Sequence, residues 1–303
     1  MDAAPERAPQ GFVRRIRRVL ELAERVLARM VGEPPDPRAF ATIHAFRWEA
    51  AERGARGRLV PIASPSTFDL DDLVGVERSV ARLVQNTEQF VRGLPSNHVL
   101  LFGERGTGKS SAVKGLLPRF AARGLRLVEV HKADLLHLPD VLAALREAPS
   151  QRFLLFCDDL SFDEGEAGYR ELKATLDGGL EPPPENVRIL ATSNRRHLIP
   201  ERSSENQAVR LDEDGELQLG EALEEKLSLS DRFGLVLGFF GFDQATYLAI
   251  VAKQAERAGV RVDAERLRED ALRWALERAS RSGRTARQFV DDLAGRLALE
   301  EGR

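Results

Sequence analysis

Short, nearly unbroken apolar runs recur through the middle of the chain. They predict five strands, at residues 98–102, 125–131, 153–157, 187–192 and 234–240. Unbroken apolar strands are typical of a parallel sheet with both faces covered by helices. Helices are expected between the strands, at 109–122, 134–147 and 166–177. The predicted fold class is therefore α/β with a five-stranded parallel sheet.

Both ends of the chain carry helical patterns. Apolar residues at steps of three and four predict an amphipathic helix from Phe12 to Val31. A second helix is expected over 38–52, burying Phe40, Ile43 and Phe46. The polar segment 201–230 is expected to carry a hairpin around 212–215. After Asp243, helices are predicted at 245–258, 263–279 and 285–299.

These patterns divide the chain into three predicted domains. Residues 1–66 form an N-terminal helical region, residues 67–241 an α/β core, and residues 242–303 a helical C-terminal domain.

A glycine-rich loop carries the strongest chemical signal. Residues 103–110 read Gly-Glu-Arg-Gly-Thr-Gly-Lys-Ser, the pattern G-x-x-x-x-G-K-[ST], between a predicted strand and a predicted helix. Backbone N–H groups converge in such a loop and bind phosphate. Lys109 is expected to reach the β- and γ-phosphates of ATP, and the Ser110 hydroxyl to bind Mg²⁺. The predicted ATP contacts of the loop are Gly103, Glu104, Arg105, Gly106, Thr107, Gly108, Lys109, Ser110 and Ser111.

Two acids and an amide follow neighbouring strands. Asp158 and Asp159 come directly after 153–157, and Asn194 follows 187–192. Asp158 is predicted to hold the metal, through water, and Asp159 to orient or deprotonate the attacking water. Asn194 is expected to position that water while staying neutral.

The order of these motifs, from about Phe68 onward, resembles that of the AAA+ ATPases. Residues 68–77, Phe-Asp-Leu-Asp-Asp-Leu-Val-Gly-Val-Glu, resemble the segment that wraps adenine, which implies Leu73, Val74 and Gly75 as adenine contacts. Asn194 matches the sensor-1 position. The helical C-terminal domain matches the AAA+ lid.

The same resemblance assigns two arginines. Residues 229–234 resemble the segment that bears the arginine finger, with Arg232 at that position. Residues 282–289 resemble the start of the sensor-2 helix, which implies that Arg287 faces the γ-phosphate, with Arg284 as the alternative. A finger that serves a neighbouring subunit implies a homo-oligomer in the ATP state.

More closely, residues 158–162 and 192–198 resemble an AAA+ family of bacteria named domain of unknown function 815. The Asp-Asp pair is also similar to that of the DnaA and IstB group. Most AAA+ relatives have Glu where this chain has Asp159, which is shorter by about 1.5 Å. Either the water lies closer or hydrolysis is slow, and Glu164 and Glu166 are longer carboxylates nearby in sequence.

Composition narrows the setting. The 303 residues carry a net charge of −3, so no global field attracts nucleic acid or membrane. Cys157 is the single cysteine, which excludes an internal disulfide and indicates a reducing compartment. With no signal-peptide pattern and no apolar run of membrane-spanning length, we expect a cytoplasmic protein.

The sequence is compatible with three functions. The first is an ATP-hydrolysing AAA+ machine that remodels or loads a protein or nucleic-acid partner. The second is a nucleotide-gated binding module with little turnover, which Asp159 favours. The third, a small-molecule kinase, fits poorly with a helical lid and a trans arginine. A protein partner is expected. Nucleic acid is the alternative, through an arginine-rich face that includes Arg14, Arg15, Arg17 and Arg18.

Overall fold

A computed structural model describes residues 18–19, 39–50, 57–162, 166–179, 182–195, 198, 210–211, 217–218, 229–300 and 302. The helix predicted over 12–31 lies outside these residues, except for 18–19, which are helical. The described elements form a sheet flanked by helices, followed by three C-terminal helices.

The main sheet has seven described strands rather than the predicted five. They are β1 (Ala45–Glu49), β2 (Arg58–Pro61), β3 (Val99–Gly103), β4 (Leu125–Glu129), β5 (Arg152–Cys157), β6 (Val187–Ser193) and β9 (Leu235–Phe239). Their order across the sheet is β2-β1-β4-β5-β6-β3-β9. Neighbours are parallel except β1 and β2, which are antiparallel. The five predicted strands form its parallel centre.

The helix predicted over 38–52 is wrong beyond its first turn. Helix α1 spans only Ala39–Thr42, and β1 begins three residues later. In β1, Phe46 and Trp48 are buried and Arg47 and Glu49 are exposed. Burial that alternates with a period of two is typical of a strand. Phe40, Ile43 and Phe46 also have helical spacing, and pairing of β1 with β4 selects the strand.

A second, two-stranded sheet matches the hairpin expected around 212–215. Its strands are β7 (Arg210–Leu211) and β8 (Leu217–Gln218), which pair antiparallel.

The helices of the core agree with prediction, with one addition. They are α2 (Glu77–Val91), α3 (Lys109–Phe120), α4 (Leu138–Arg146) and α5 (Ala167–Asp177). Helix α2 had no sequence-based prediction. Successive β5 residues point to opposite faces: Leu155 joins one buried cluster, and Leu154 and Phe156 join the other. Both faces of the sheet are therefore covered, as the apolar strands predicted.

Three C-terminal helices form a separate small core, in agreement with prediction. They are α6 (Gln244–Arg257), α7 (Ala264–Glu277) and α8 (Gly283–Glu300). Tyr247 and Phe289 are among the side chains buried between them. Asp243 and Asp263 accept hydrogen bonds from the first backbone N–H groups of α6 and α7, which fixes where both helices begin. Among the described helices, none is long and apolar enough to cross a membrane.

Candidate functional site

The glycine-rich loop connects the carboxyl end of β3 to the first turn of α3. Gly103 has a φ of 135°, and a Cβ there would lie 1.9 Å from the carbonyl oxygen of Phe239. Gly108 has a φ of 100°, and a Cβ there would lie 2.7 Å from Leu73 Cδ2. Only glycine fits both positions, because the backbone is left-handed and a neighbour occupies the space of a side chain.

The Lys109 ammonium is buried beneath this loop. Nζ donates hydrogen bonds to the carbonyl oxygens of Gly103 and Glu104, both at 2.7 Å, and to Asn194 Oδ1 at 3.1 Å. An ammonium has three protons, and each has an acceptor. Burial lowers the pKa of Lys109, although the negative charges of Asp159 and Asp158 oppose this shift. The cation is thus held ready at the loop.

Asp158 and Asp159 meet Thr192 where β5 and β6 end. Cys157 pairs with Ala191 in the parallel register, so the residues that follow them lie side by side. Thr192 Oγ1 donates to Asp158 Oδ1 at 2.6 Å and accepts from the Asp159 backbone N–H at 2.8 Å. Ser110 Oγ also donates to Asp158 Oδ1, at 2.7 Å.

The carboxylate of Asp159 completes a continuous network. Its Oδ1 accepts a short hydrogen bond from Asn194 Nδ2, while Asn194 Oδ1 accepts from Lys109. Hydrogen bonds therefore connect six residues in a ring that closes through the peptide bond between the first and last: Lys109, Asn194, Asp159, Thr192, Asp158 and Ser110. The sequence predicted five of them, and we call the six the acid ring.

The acid ring lies in a cleft of about 630 Å³. One side, the core wall, consists of loop residues 105–111 with Asp158, Asp159, Thr192 and Asn194. The opposite side, the lid wall, consists of Phe242, Ile250, Gln254, Gly283, Arg284, Arg287 and Gln288. Phe68, Asp72, Leu73 and Val74 line one end. The cleft therefore has a charged floor and a partly apolar end.

The cleft lies between the core and the three C-terminal helices, which approach each other at the glycine loop. The N–H of Gly283 donates to the carbonyl of Gly106 at 2.8 Å. A Cβ on Gly106 would lie 2.8 Å from Ser282 Oγ, so the loop and the start of α8 are in close contact.

Of the three predicted adenine contacts, Leu73 and Val74 line the cleft and Gly75 does not. A Cβ on Gly75 would lie 2.6 Å from Thr246 Cγ2, so the chain passes tightly under α6 here. In the loop, Gly103 and Glu104 likewise are not lining residues, and they contribute the carbonyls that hold Lys109.

The predicted arginines differ in position. Arg287 lines the cleft, but its Nε donates to both oxygens of Asp291 at 3.2 Å and its side chain is 67% exposed. Arg284 lines the same wall, and its charge contributes to lowering the pKa of Lys109. Arg232 lies away from the cleft of its own chain, ion-paired with Asp177 at the end of α5.

Of the two longer carboxylates considered for water activation, the structure describes only Glu166, which does not line the cleft. Glu166 pairs with Lys132 at 2.9 Å, and Glu164 falls outside the described residues. Sequence reasoning missed Thr192 and the lid-wall residues Phe242, Ile250 and Gln254. The available signal for Thr192 was its place at the end of an apolar strand, beside Asn194.

The donor set of the acid ring suits Mg²⁺. The Ser110 hydroxyl and the Asp158 carboxylate meet at one point, and both are the hard oxygen ligands that Mg²⁺ takes. Within the described part of the chain there is no group of three or more His, Cys, Asp or Glu side chains able to hold a metal. Mg²⁺ usually keeps several of its waters, and its assignment to this site rests on the two oxygens of Ser110 and Asp158 alone.

Comparison with known proteins gives the family. The family described as "Protein of unknown function (DUF815)" matches residues 41–297. Among curated proteins, none matches the chain by sequence.

Solved structures give the fold. The RuvB Holliday junction branch migration motor of Thermotoga maritima is 16% identical, with a TM-score of 0.51 over 77% of this chain and 66% of that one. A variant of the same protein gives a TM-score of 0.52 at the same identity and coverage. At this identity the likeness concerns the fold, which is that of an AAA+ ATPase. Both resemblances, to AAA+ proteins and to domain 815, are confirmed, and the chain is a member of the DUF815 family with an AAA+ fold.

Proposed function

We propose that the protein binds ATP with Mg²⁺ and hydrolyses it to ADP and phosphate. The observation that carries this proposal is the acid ring at the floor of a cleft closed by helical lid residues. The loop amides and Lys109 suit the phosphates, and Leu73 and Val74 with the lid wall suit adenine. We also retain 67–241 as core and 242–303 as lid in the proposal, whereas the region predicted as a helical domain, 1–66, contributes β1 and β2 to the core sheet.

Each ring residue has a role in this reaction. Lys109 would exchange its loop carbonyls for phosphate oxygens, which carry full negative charge. Ser110 and Asp158 would hold Mg²⁺, which supplies neutralisation of phosphate charge. Asn194 and Asp159 would orient the attacking water. As the water oxygen bonds to the γ-phosphorus and the bond to the β-phosphate oxygen breaks, the water proton passes to Asp159.

The position of Arg232 suggests that several copies of the chain assemble. Arg232 is remote from its own cleft, as a finger for a neighbouring subunit must be. We therefore propose a homo-oligomer in the ATP state that remodels or loads a protein or nucleic-acid partner in the cytoplasm. RuvB, whose fold is similar, is a Holliday junction branch migration motor.

The competing function is a nucleotide-gated binding module with slow turnover. The bond between Asn194 and Asp159 favours it, because a base engaged by an amide is less free to accept a proton. Two measurements separate the functions: phosphate release with ATP and Mg²⁺, and particle mass with and without the nucleotide.

Steady phosphate release that Lys109→Ala abolishes, with no acceptor molecule added, supports the ATPase and argues against a kinase. Tight ATP binding without release supports the gated module. No heat on adding ATP or ADP with Mg²⁺ to folded protein would overturn both. Arg232→Ala tests the trans role separately, because unchanged assembly and hydrolysis would remove it.

A further inference from the structure

The Thr192 hydroxyl is the one member of the acid ring that contacts both acid residues. Its proton goes to the Asp158 carboxylate, and its oxygen accepts the N–H of Asp159. The side chain is 1% exposed, so water cannot replace either bond without rearrangement. We propose that Thr192 is a positioning residue that holds Asp158 and Asp159 in one arrangement, and that Mg²⁺-dependent use of ATP depends on this hydroxyl. The inference rests on the proposed function.

The turn that Thr192 holds has an uncommon backbone. Asp159 has a φ of 52°, in the left-handed region, which is uncommon for a residue with a side chain. Residues at and just after the end of β6 stabilise this turn at three further points, two at Leu160 and one at the Asp159 carboxylate. Leu160 N–H donates to the Thr192 carbonyl at 2.7 Å, Ser193 Oγ donates to the Leu160 carbonyl at 2.8 Å, and Asn194 donates to the Asp159 carboxylate.

The hydroxyl also sets the orientation of Asp158. Oδ1 of this carboxylate accepts from both Thr192 and Ser110, so its plane is fixed from two directions. Loss of Thr192 would leave Ser110 alone to orient the carboxylate, and Ser110 is itself a proposed Mg²⁺ ligand. Partners that orient a metal-binding group typically change metal affinity or activity by about 10- to 100-fold when they are removed.

A structural role alone would act differently. It would lower stability in proportion to the lost hydrogen bonds and leave the dependence on metal unchanged. Position 193 provides the matched control, because the Ser193 hydroxyl is fully buried and bonds to the same turn without touching either carboxylate. Thr192→Val and Ser193→Ala therefore remove comparable hydrogen bonds with different predicted consequences for Mg²⁺.

The experiment uses the full chain with wild type, Thr192→Val, Thr192→Ser and Ser193→Ala. A fluorescent ATP analogue is titrated with Mg²⁺, phosphate release gives kcat and KM, and thermal unfolding reports folding. We expect Thr192→Val to raise the Mg²⁺ half-saturation or lower kcat by about 10-fold or more. Thr192→Ser should stay within about 3-fold of wild type, because it keeps the hydroxyl. Ser193→Ala should lose stability and keep the wild-type Mg²⁺ dependence.

Two results would overturn the role of Thr192 while wild type still binds ATP. One is a folded Thr192→Val protein with wild-type Mg²⁺ half-saturation and kcat. The other is an equal change in Ser193→Ala, which would mean general loosening of the turn. If the valine variant does not fold, Thr192→Ala carries the same expectation. Failure of wild type to bind ATP would instead overturn the proposed function, and this role with it.

Discussion

The core wall and the lid wall of the cleft are held in different ways. In the core wall, hydrogen bonds connect the functional side chains to one another, and Lys109 and Thr192 are buried. In the lid wall, Arg287 is largely exposed and pairs along its own helix. A preorganised wall loses little freedom when a ligand arrives, whereas a wall of exposed side chains must be ordered on binding. We infer that the core wall supplies the chemistry and the lid wall adjusts to the ligand.

Polar contacts between the core and the three C-terminal helices stand beside the apolar packing of Val74 and Phe242. Gly283 donates to Gly106, and Arg257 of α6 forms ion pairs with Asp69 and Asp72 of the core. The Arg257 side chain is exposed, and exposed ion pairs contribute about 0–1 kcal/mol each. Ion pairs this weak can orient the C-terminal helices without preventing their movement. Such movement would allow nucleotide exchange in the proposed function.

The largest expected effect comes from the centre of the core wall. Lys109→Ala should lower phosphate release by about 100-fold or more, because a preorganised charge at the phosphates is lost. The unfolding temperature without nucleotide should change little. Burial lowers the pKa of this lysine, which means that burying its charge costs free energy, and the substitution removes that cost.

The matched control for Lys109 is Lys114, which lies on the same helix but does not line the cleft. Lys114→Ala should retain wild-type phosphate release. Equal loss in both variants would mean that the helix, and not the ammonium of Lys109, is responsible.

Acid should weaken, through His98, the strands β3 and β6 that carry the core wall at their other end. This residue precedes β3, and its Nδ1 accepts the backbone N–H of Ile189 at 2.9 Å. Burial, with a smaller contribution from the Arg188 charge, lowers its pKa to about 4. The unfolded chain, with a pKa near 6.5, then binds more protons than the folded one between these values. Stability should therefore fall as the pH drops from about 6.5 to about 4, by roughly 3 kcal/mol in total.

The comparison that isolates His98 is His98→Asn, because Asn keeps an acceptor and does not titrate. Urea unfolding at pH 7 and pH 4.5 gives the free energy of unfolding of each protein at both pH values. The loss of stability between these values should be smaller in His98→Asn than in wild type. Parallel pH profiles would show that His98 is not the titrating group. Hydrogen exchange should show β3 and β6 losing protection before α6–α8 if acid acts through His98 on these strands.

Much of the core wall was predictable from sequence, and the reason is local. The loop 103–110 is a contiguous pattern, and Asp158 and Asn194 follow apolar strands whose ends must meet in a parallel sheet. Thr192 was not predicted, because its role depends on the register of β5 against β6, which no local pattern encodes. Position 45–49 was predicted as helix, because Phe40, Ile43 and Phe46 have helical spacing, and only pairing with β4 selects the strand.

Two arginines of the lid wall, Arg284 and Arg287, are candidates for the γ-phosphate contact, and a pair of variants separates them. Arg284 has no ion-pair partner within the described ranges, and Arg287 must leave Asp291 to reach a ligand. We expect Arg284→Ala to weaken ATP binding by about 10-fold and ADP binding by much less, which is the loss of one charge-assisted bond to the γ-phosphate. Arg287→Ala should have the smaller effect. Calorimetry with both nucleotides measures this, and the reverse order would favour Arg287, the first choice from the sequence, as the γ-phosphate contact.

The smallest expected effect lies at the end of α7. Ala279, two residues beyond the last residue of the helix, has a φ of 46°. Its N–H donates to the Leu276 carbonyl, and the Ser280 N–H donates to the Ala275 carbonyl. Helix α6 ends with the same pair of bonds around Gly259, whose φ is 67°. A left-handed residue at this position is usually glycine, because a Cβ is strained there. Ala279→Gly should therefore raise stability, by about 0.5–1 kcal/mol.

The matched control is Ala258→Gly, one residue before Gly259, where the backbone is right-handed. There glycine relieves no strain and only adds freedom to the unfolded chain, so stability should fall by about 0.5–1 kcal/mol. Hydrogen exchange in the last turns of α6 and α7 gives both values without requiring the whole chain to unfold in one step. Because neither residue lines the cleft, both variants should keep wild-type phosphate release if the core wall alone carries the chemistry. If phosphate release changed in the two variants along with the stability of the lid, lid motion would instead limit the rate.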